Sequence, residues 1–293
     1  MNRNALGWFF RRALLLSVPF TLGGASPNCE HEIIIPDGGV PTEPISAAKC
    51  NELCGGISCT VVHTDMGLAA VDCFTGNCGN SCGRLTDGLA VLSGGETPGA
   101  HFARMAELEA AAVHAFRRLA RELSAHGAPA RLVGHALAAA RDETRHARVA
   151  ARLARRFGGT PVEMEVPALP VRPLAEVVRE NAVEGCVRET VGAAVASFQA
   201  EQSRDPQVRR ALAAIAVDER RHAELSWAVA RWADRELDQA DRDRTRAARD
   251  QAAALLVREH PADPPPAVAA IAGLPSRAAA LAIIKEARAT IWS

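Results

Sequence analysis

The 293-residue sequence contains no tyrosine, which excludes a stored tyrosyl radical. Aromatic residues of any kind make up only 4% of it. It also lacks a charge excess: 34 Lys and Arg balance 34 Asp and Glu, so no basic surplus is available to neutralise the phosphates of a nucleic acid. The Arg-dense stretch from Arg231 to Asp250 alternates in sign and reads as a solvated helix face. No C-x-x-C pair occurs, which argues against a zinc ribbon. After Cys82 cysteine almost vanishes, with Cys186 the only one left.

What the chain does have is uneven. Arg3, Arg11 and Arg12 precede an apolar run from Ala13 to Leu22, and Gly23-Gly24-Ala25 follows as a small-residue cleavage site. That order predicts an export signal over residues 1–25 and a periplasmic, envelope or secreted protein. The run is short and broken by Pro19, unlike a membrane anchor. Arg11-Arg12 with Ala13-Leu14-Leu15 resembles a twin-arginine signal, although Phe10 stands where a polar residue is usual; an ordinary secretory signal fits as well. Cys29 follows Ser26-Pro27-Asn28, a poor lipidation box, and membrane association would require its acylation.

Seven of the eight cysteines, Cys29, Cys50, Cys54, Cys59, Cys73, Cys78 and Cys82, crowd behind that signal. Outside the cytoplasm such density predicts disulfides, in a module at 49–83 too small to stabilise itself by burial alone. Six cysteines allow fifteen pairings, which spacing does not resolve, and Cys29 is the odd one. The module is a candidate surface for a protein partner. Residues 26–48 read as a linker or extended arm, and 84–100 as a second joint.

Beyond residue 100 Ala, Arg, Leu and Glu recur with helical periodicity. Turn signals divide the region into helices at about 101–125, 130–156, 174–203 and from 206 to at least 235, with 259 as the outer limit of the last. The proline-rich stretch from Pro161 to Pro173 cannot be helical and forms one long crossover. Short loop, long crossover, short loop predicts an all-α, ferritin-like four-helix bundle over 101–260, preceded by the disulfide-rich module. A tail at 261–293 carries one more helix, at about 275–291.

The phrase Asp142-Glu143-Thr144-Arg145-His146-Ala147 recurs as Asp218-Glu219-Arg220-Arg221-His222-Ala223 with one change. Each copy sets a carboxylate and an imidazole three residues apart, on one helix face. One such pair would read as a surface contact. Two, each continuing an apolar stripe, read as a metal site, because buried charge is costly unless paired or bound to metal. Glu109 precedes Glu143 by 34 residues and Glu184 precedes Glu219 by 35, so each Glu-x-x-His has a partner carboxylate one helix upstream. Glu109 continues the stripe of Phe102, Met105 and Phe116, whereas Glu107 falls on a polar face and reads as solvated. Glu180 reads as a surface ion-pair former. The resulting ligands are Glu109, Glu143, His146, Glu184, Glu219 and His222, a set that suits two iron ions, two manganese ions or one of each better than zinc.

Through Leu108-Glu109, Asp142-Glu143-x-Arg145-His146-Ala147, Glu184-Gly185-Cys186 and Asp218-Glu219-x-Arg221-His222-Ala223, residues 101–238 resemble the ferritin-like superfamily, in particular its rubrerythrin-like members. The Asp-Glu-x-Arg-His phrase is also similar to that of di-iron monooxygenases and desaturases. That resemblance implies that Asp142 and Asp218 orient His222 and His146 across the site, with Arg145 and Arg221 beside them. It implies an oxidoreductase acting on dioxygen or peroxide. The lack of a rubredoxin-like cysteine pair would make an external electron donor necessary. Ferrous-iron oxidation, and a metal that merely braces an envelope protein, stay open as alternatives. Cys186 should face away from the metals as a buried thiol, and His114, His126 and His135 have no partners at ligand spacing.

Overall fold

The computed structural model describes residues 9–10, 30–34, 58–63, 69–74, 96–161, 170–258, 260 and 262–292. The chain divides into one unit of residues 24–79 and another formed by residues 1–23 with 80–293. In the smaller unit, strands β1 (Glu30–Ile34), β2 (Ser58–His63) and β3 (Ala69–Phe74) make an antiparallel sheet in the order β1-β3-β2. Cys59 stands opposite Cys73, and Ile33 opposite Val71. β1 falls within the segment expected to be a linker; its Ile33-Ile34 pair favours extended backbone, and β3 completes its hydrogen bonding. Cys29, Cys50, Cys54, Cys78 and Cys82 lie outside the described residues, as do 84–95 and the expected export segment apart from Phe9 and Phe10.

Among its described residues the larger unit is almost entirely helical. Thr97 accepts from the Ala100 amide at 3.2 Å and Pro98 supplies the preset first turn, so α1 (Pro98–Ala125) begins three residues before the expected start. Gly127, at φ 71°, turns the chain after α1. Helix α2 (Ala130–Arg156) has the expected bounds. Gly99 and the chain after α2 touch so closely that a Cβ on Gly99 would sit 2.3 Å from the Phe157 carbonyl oxygen. The start of α1 is therefore pinned to the end of α2, as an antiparallel pair requires.

The third long rod is continuous but irregular: α3 (Leu174–Glu180), a π-helical segment (Asn181–Glu189) and α4 (Thr190–Gln202). Asp205 caps α5 (Pro206–Ala233) by accepting from the Gln207 and Val208 amides at 2.9 and 3.0 Å. The same carboxylate binds Arg156 at 2.6 Å and so ties the start of α5 to the end of α2. Helix 206 onward does not run on to 259. Asp238 caps a new helix, α6 (Gln239–Arg258), by accepting from the Asp241 amide, and Arg242 donates to the carbonyls of Asp234 and Leu237 across the break. A short α7 (Pro266–Ala272) and α8 (Arg277–Thr290) follow. Among the described residues no single helix is long and apolar enough to cross a membrane.

Apolar layers lie above and below a polar belt. One layer gathers Phe102, Leu153, Leu212 and Ile215. Another gathers Phe116, Leu119, Leu132 and Trp232. A third packs the π segment and α4 against α6 and α8 through Val187, Val195, Ile283 and Ile284, and also buries Phe9, Phe10 and Trp227. Each fully buried Leu or Phe contributes about 1.5–3 kcal/mol, which lets the fold tolerate charged groups between the layers.

Candidate metal centre

The belt is charged. On α1, Glu109 sits between Met105 and Phe116 of the two flanking layers; Glu143 and His146 occupy the equivalent stretch of α2, and Glu219 and His222 that of α5. Glu109, Glu143 and Glu219 are 0% exposed, His146 2% and His222 1%. Both oxygens of each of these three carboxylates, and Nδ1 of both imidazoles, are buried without a hydrogen-bond partner of acceptable geometry. Polar atoms so placed cost several kcal/mol unless a cation satisfies them.

Two groups of donors converge. Glu109, Glu143, His146 and Glu219 form one, Glu189, Glu219 and His222 the other, and within each the donor atoms lie within 4.8 Å of one another. His146 Nδ1 is 3.2 Å from Glu219, 3.3 Å from Glu143 and 3.5 Å from Glu109. His222 Nδ1 is 3.1 Å from Glu143 and 3.7 Å from Glu219. Glu219 belongs to both groups, and Glu143 reaches both imidazoles. This buried carboxylate and imidazole cluster can hold a metal ion.

The outer nitrogens are also engaged. His146 Nε2 meets Asp218 at 3.1 Å and His222 Nε2 meets Asp142 at 3.4 Å, each across the α2–α5 interface. Arg145 spans the two aspartates at 2.7 and 2.9 Å, and Arg221 does so at 3.2 and 2.5 Å. Exposed pairs of this kind add little stability singly, about 0.2–1 kcal/mol. Their geometric effect is larger: each aspartate accepts the Nε2–H, fixing the tautomer that points Nδ1 inward.

The titration pattern follows from the crowding of acids. Burial, with the charge of Glu143, pushes the Glu109 carboxyl well above its usual range. Burial also opposes ionisation of Glu143, but the close approach of Glu109, His146 and His222 outweighs it and holds that carboxyl low. Burial disfavours charge on the imidazoles as well, yet the surrounding carboxylates raise both far above the usual histidine range. Imidazolium protons thus supply the positive charge that the acids demand, in the place a metal cation would take.

Five of the six expected ligand residues come together. Glu184 does not: it is half-buried and faces Arg188 at 3.5 Å, one turn along its own helix. Glu189, 0% exposed, stands in the second group instead. The cause is the π segment, whose i to i+5 hydrogen bonds turn the chain more slowly than the α-helical period. Counting at 100° per residue from Val177 aims Glu184 inward; the slower turn swings Glu184 aside and delivers Glu189. A signal existed, since Glu184 has a cation one turn on whereas Glu189 opens a stretch through Phe198 that carries no other charged residue.

The π segment is held from both sides. Asn181 donates to the Ser226 carbonyl at 2.9 Å, and Trp292 donates to the Cys186 carbonyl at 3.1 Å. Gly185 passes so near α5 that a Cβ there would lie 2.5 Å from Ser226 Oγ. Cys186 is buried, its thiol donating to the Ser226 carbonyl at 3.6 Å, and it lies outside both donor groups. Glu107 is buried rather than solvated, 5% exposed, yet belongs to neither group. Glu180 pairs with Arg172, which also grips Glu122, and the His126 ring bonds the Arg172 carbonyl at 2.8 Å, so these side chains fasten the crossover's end to α1. His135 is exposed and His114 half-buried, and neither belongs to a donor group. No family model, curated protein or solved structure matches the chain.

Proposed function

We propose that the chain is a ferritin-like di-metal protein and an oxidoreductase acting on dioxygen or peroxide. One ion would be held by Glu109, Glu143, His146 and Glu219, the other by Glu189, Glu219 and His222, with Glu219 shared. The observation that carries this reading is the doubled arrangement: two buried donor groups with a common carboxylate, each with one inward Nδ1 whose opposite nitrogen is held by an aspartate of the facing helix. Oxygen-rich donors with one imidazole per ion favour iron or manganese. Bound there, such metals would supply electrons for reducing dioxygen or peroxide.

The residues themselves do the rest. The carboxylates of Glu143 and Glu219 lie between the imidazoles, and with Glu109 and Glu189 they offer four negative charges, enough to balance two divalent cations. The Asp142 and Asp218 contacts keep both imidazoles in register while the charge between them changes. The flanking layers of Phe102, Ile215, Phe116 and Leu225 give the donor groups an apolar surround. Export rests on the order of Arg3, Arg11 and Arg12, the apolar run Ala13 to Leu22 and Gly23-Gly24-Ala25, and electrons would come from an external donor.

Elemental analysis of the purified protein should find about two transition-metal ions per chain. Adding dioxygen to the ferrous form should change the optical spectrum. Zinc alone, or no metal, would sink the redox reading; bound iron indifferent to dioxygen would leave the metal only a bracing role.

A further inference from the structure

A cavity of about 250 Å³ opens between the early turns of α2 and the late turns of α5 and meets the donor groups at one residue, His222. Its inner end is formed by Asp142 and His222. Its walls include the buried apolar side chains of Leu132, Ala139, Leu225 and Trp227, with Ala228 half-buried beside them. Its rim is exposed and cationic, with Arg131, Arg221 and Arg231 joined by His135.

The charges do not cancel locally. Asp142 is already engaged by Arg145, Arg221 and His222. Glu224 is the one other carboxylate in the lining, set against the guanidinium groups of Arg131 and Arg231, since Arg221 is held by Asp142 and Asp218. Guanidinium forks match a carboxylate bidentately, and an apolar wall rewards a hydrocarbon body rather than a bare ion. The volume lies below the ~300–1,000 Å³ of pockets for drug-sized ligands, so the ligand must be short.

We propose that this cavity binds a small organic carboxylate, its charged end at the rim arginines and its apolar body against Leu225 and Trp227. As a statement about substrate class it rests on the di-metal reading, since the cavity ends at the aspartate that holds His222. As a binding site it does not, because the rim arginines and the apolar wall of Leu132, Leu225 and Trp227 belong to neither donor group.

The test is calorimetric titration of the full-length protein, as purified and after chelation, with acetate, butyrate, hexanoate, 1-hexanol and inorganic phosphate. Tryptophan fluorescence provides a second readout through Trp227. Hexanoate should bind saturably at one site in both preparations, with affinity rising about fourfold per methylene from acetate. Hexanol and phosphate should bind at least about tenfold more weakly than hexanoate. The surface double variant Arg131→Gln/Arg231→Gln should weaken hexanoate by about tenfold or more, and Ala228→Phe, which fills the cavity, should abolish binding. Hexanoate binding no better than acetate or phosphate, hexanol equalling hexanoate, or a double variant indistinguishable from the parent would each overturn the proposal. Metal content measured on the same samples separates the two readings. Hexanoate binding in protein that takes up no metal defeats the di-metal reading alone, and metal without hexanoate binding defeats this one alone.

Discussion

Replacing Glu189 by Gln tests the point where the helix register departs from the regular period. The substitution keeps the side chain's size and removes one of three donors from the Glu189, Glu219 and His222 group, leaving the four-donor group of Glu109, Glu143, His146 and Glu219 complete. Altering even the partners that support a ligand typically weakens metal binding about 10–100-fold, and loss of a ligand should reach the upper end. At free metal near 100 times the original dissociation constant, binding contributes about 2.7 kcal/mol to folding. A hundredfold weaker site contributes about 0.4 kcal/mol under the same conditions. The difference of about 2.3 kcal/mol corresponds to a Tm lower by roughly 5–9 °C for a domain of this size. Metal content should fall from about two ions to about one, because the other group keeps its donors. Glu184→Gln is the control, and it should leave both metal content and the metal-dependent Tm unchanged, since Glu184 faces Arg188. The measurements are elemental analysis and thermal unfolding with and without a chelator. If Glu184→Gln loses an ion and Glu189→Gln keeps both, the π-helical register is wrong.

Metal uptake by the chelated protein should release protons and tighten as pH rises, because the carboxylates hold His146 and His222 protonated far above the usual range and metal must displace those protons. A pH indicator in weak buffer reads the release, and uptake without it would contradict the assigned protonation. Asp205→Ala should cost about 1 kcal/mol at neutral pH through loss of the α5 cap. Arg156 and the two capping amides hold the Asp205 carboxyl below its ordinary value, so its contribution is complete above the ordinary carboxylate pKa of about 3.9 and is lost only as pH falls further. The gap between parent and variant in urea unfolding should therefore be constant from pH 5 to 8, roughly, and narrow in strong acid. Gly185→Ala would force a methyl group 2.5 Å from Ser226 Oγ and should destabilise the fold by about 1–3 kcal/mol in the same assay. A neutral effect would mean that the π segment can move away from α5 without cost.

Helix boundaries were legible wherever a turn residue dictates them. The Ala130–Arg156 helix lies between Pro129 and Gly158, and the start of α5 is written in Asp205-Pro206. The break before α6 was not, because it depends on Asp238 capping a helix and Arg242 bridging back to the carbonyls of Asp234 and Leu237, within a stretch whose charges look uniformly helical. β1 was hidden for a different reason. Five residues beside a run of Pro and Gly carry little periodic signal, and the strand exists through pairing with β3, some forty residues on.

The donor groups show the same division between local and tertiary causes. Glu109, Glu143, His146, Glu219 and His222 stand on regular α-helix, where a stripe counted at 3.6 residues per turn remains true over the whole length. Glu189 stands at the end of a segment whose hydrogen-bond register has slipped by one residue, and such a slip cannot be found by counting along that helix alone. It is stabilised from outside, by Asn181 bonding the Ser226 carbonyl, by Trp292 bonding the Cys186 carbonyl, and by the absence of a side chain at Gly185. Two of those three partners lie 45 and 106 residues away along the chain. An irregular helix anchored this way is expected to cost stability relative to an α-helix, and the gain is positional: it brings a carboxylate to the imidazole of His222 on the side that Glu109 does not reach. The duplicated Asp-Glu-x-Arg-His phrases are thus only half of a symmetric design. Their partner carboxylates arrive by two different backbone routes, and only the regular one can be read from spacing.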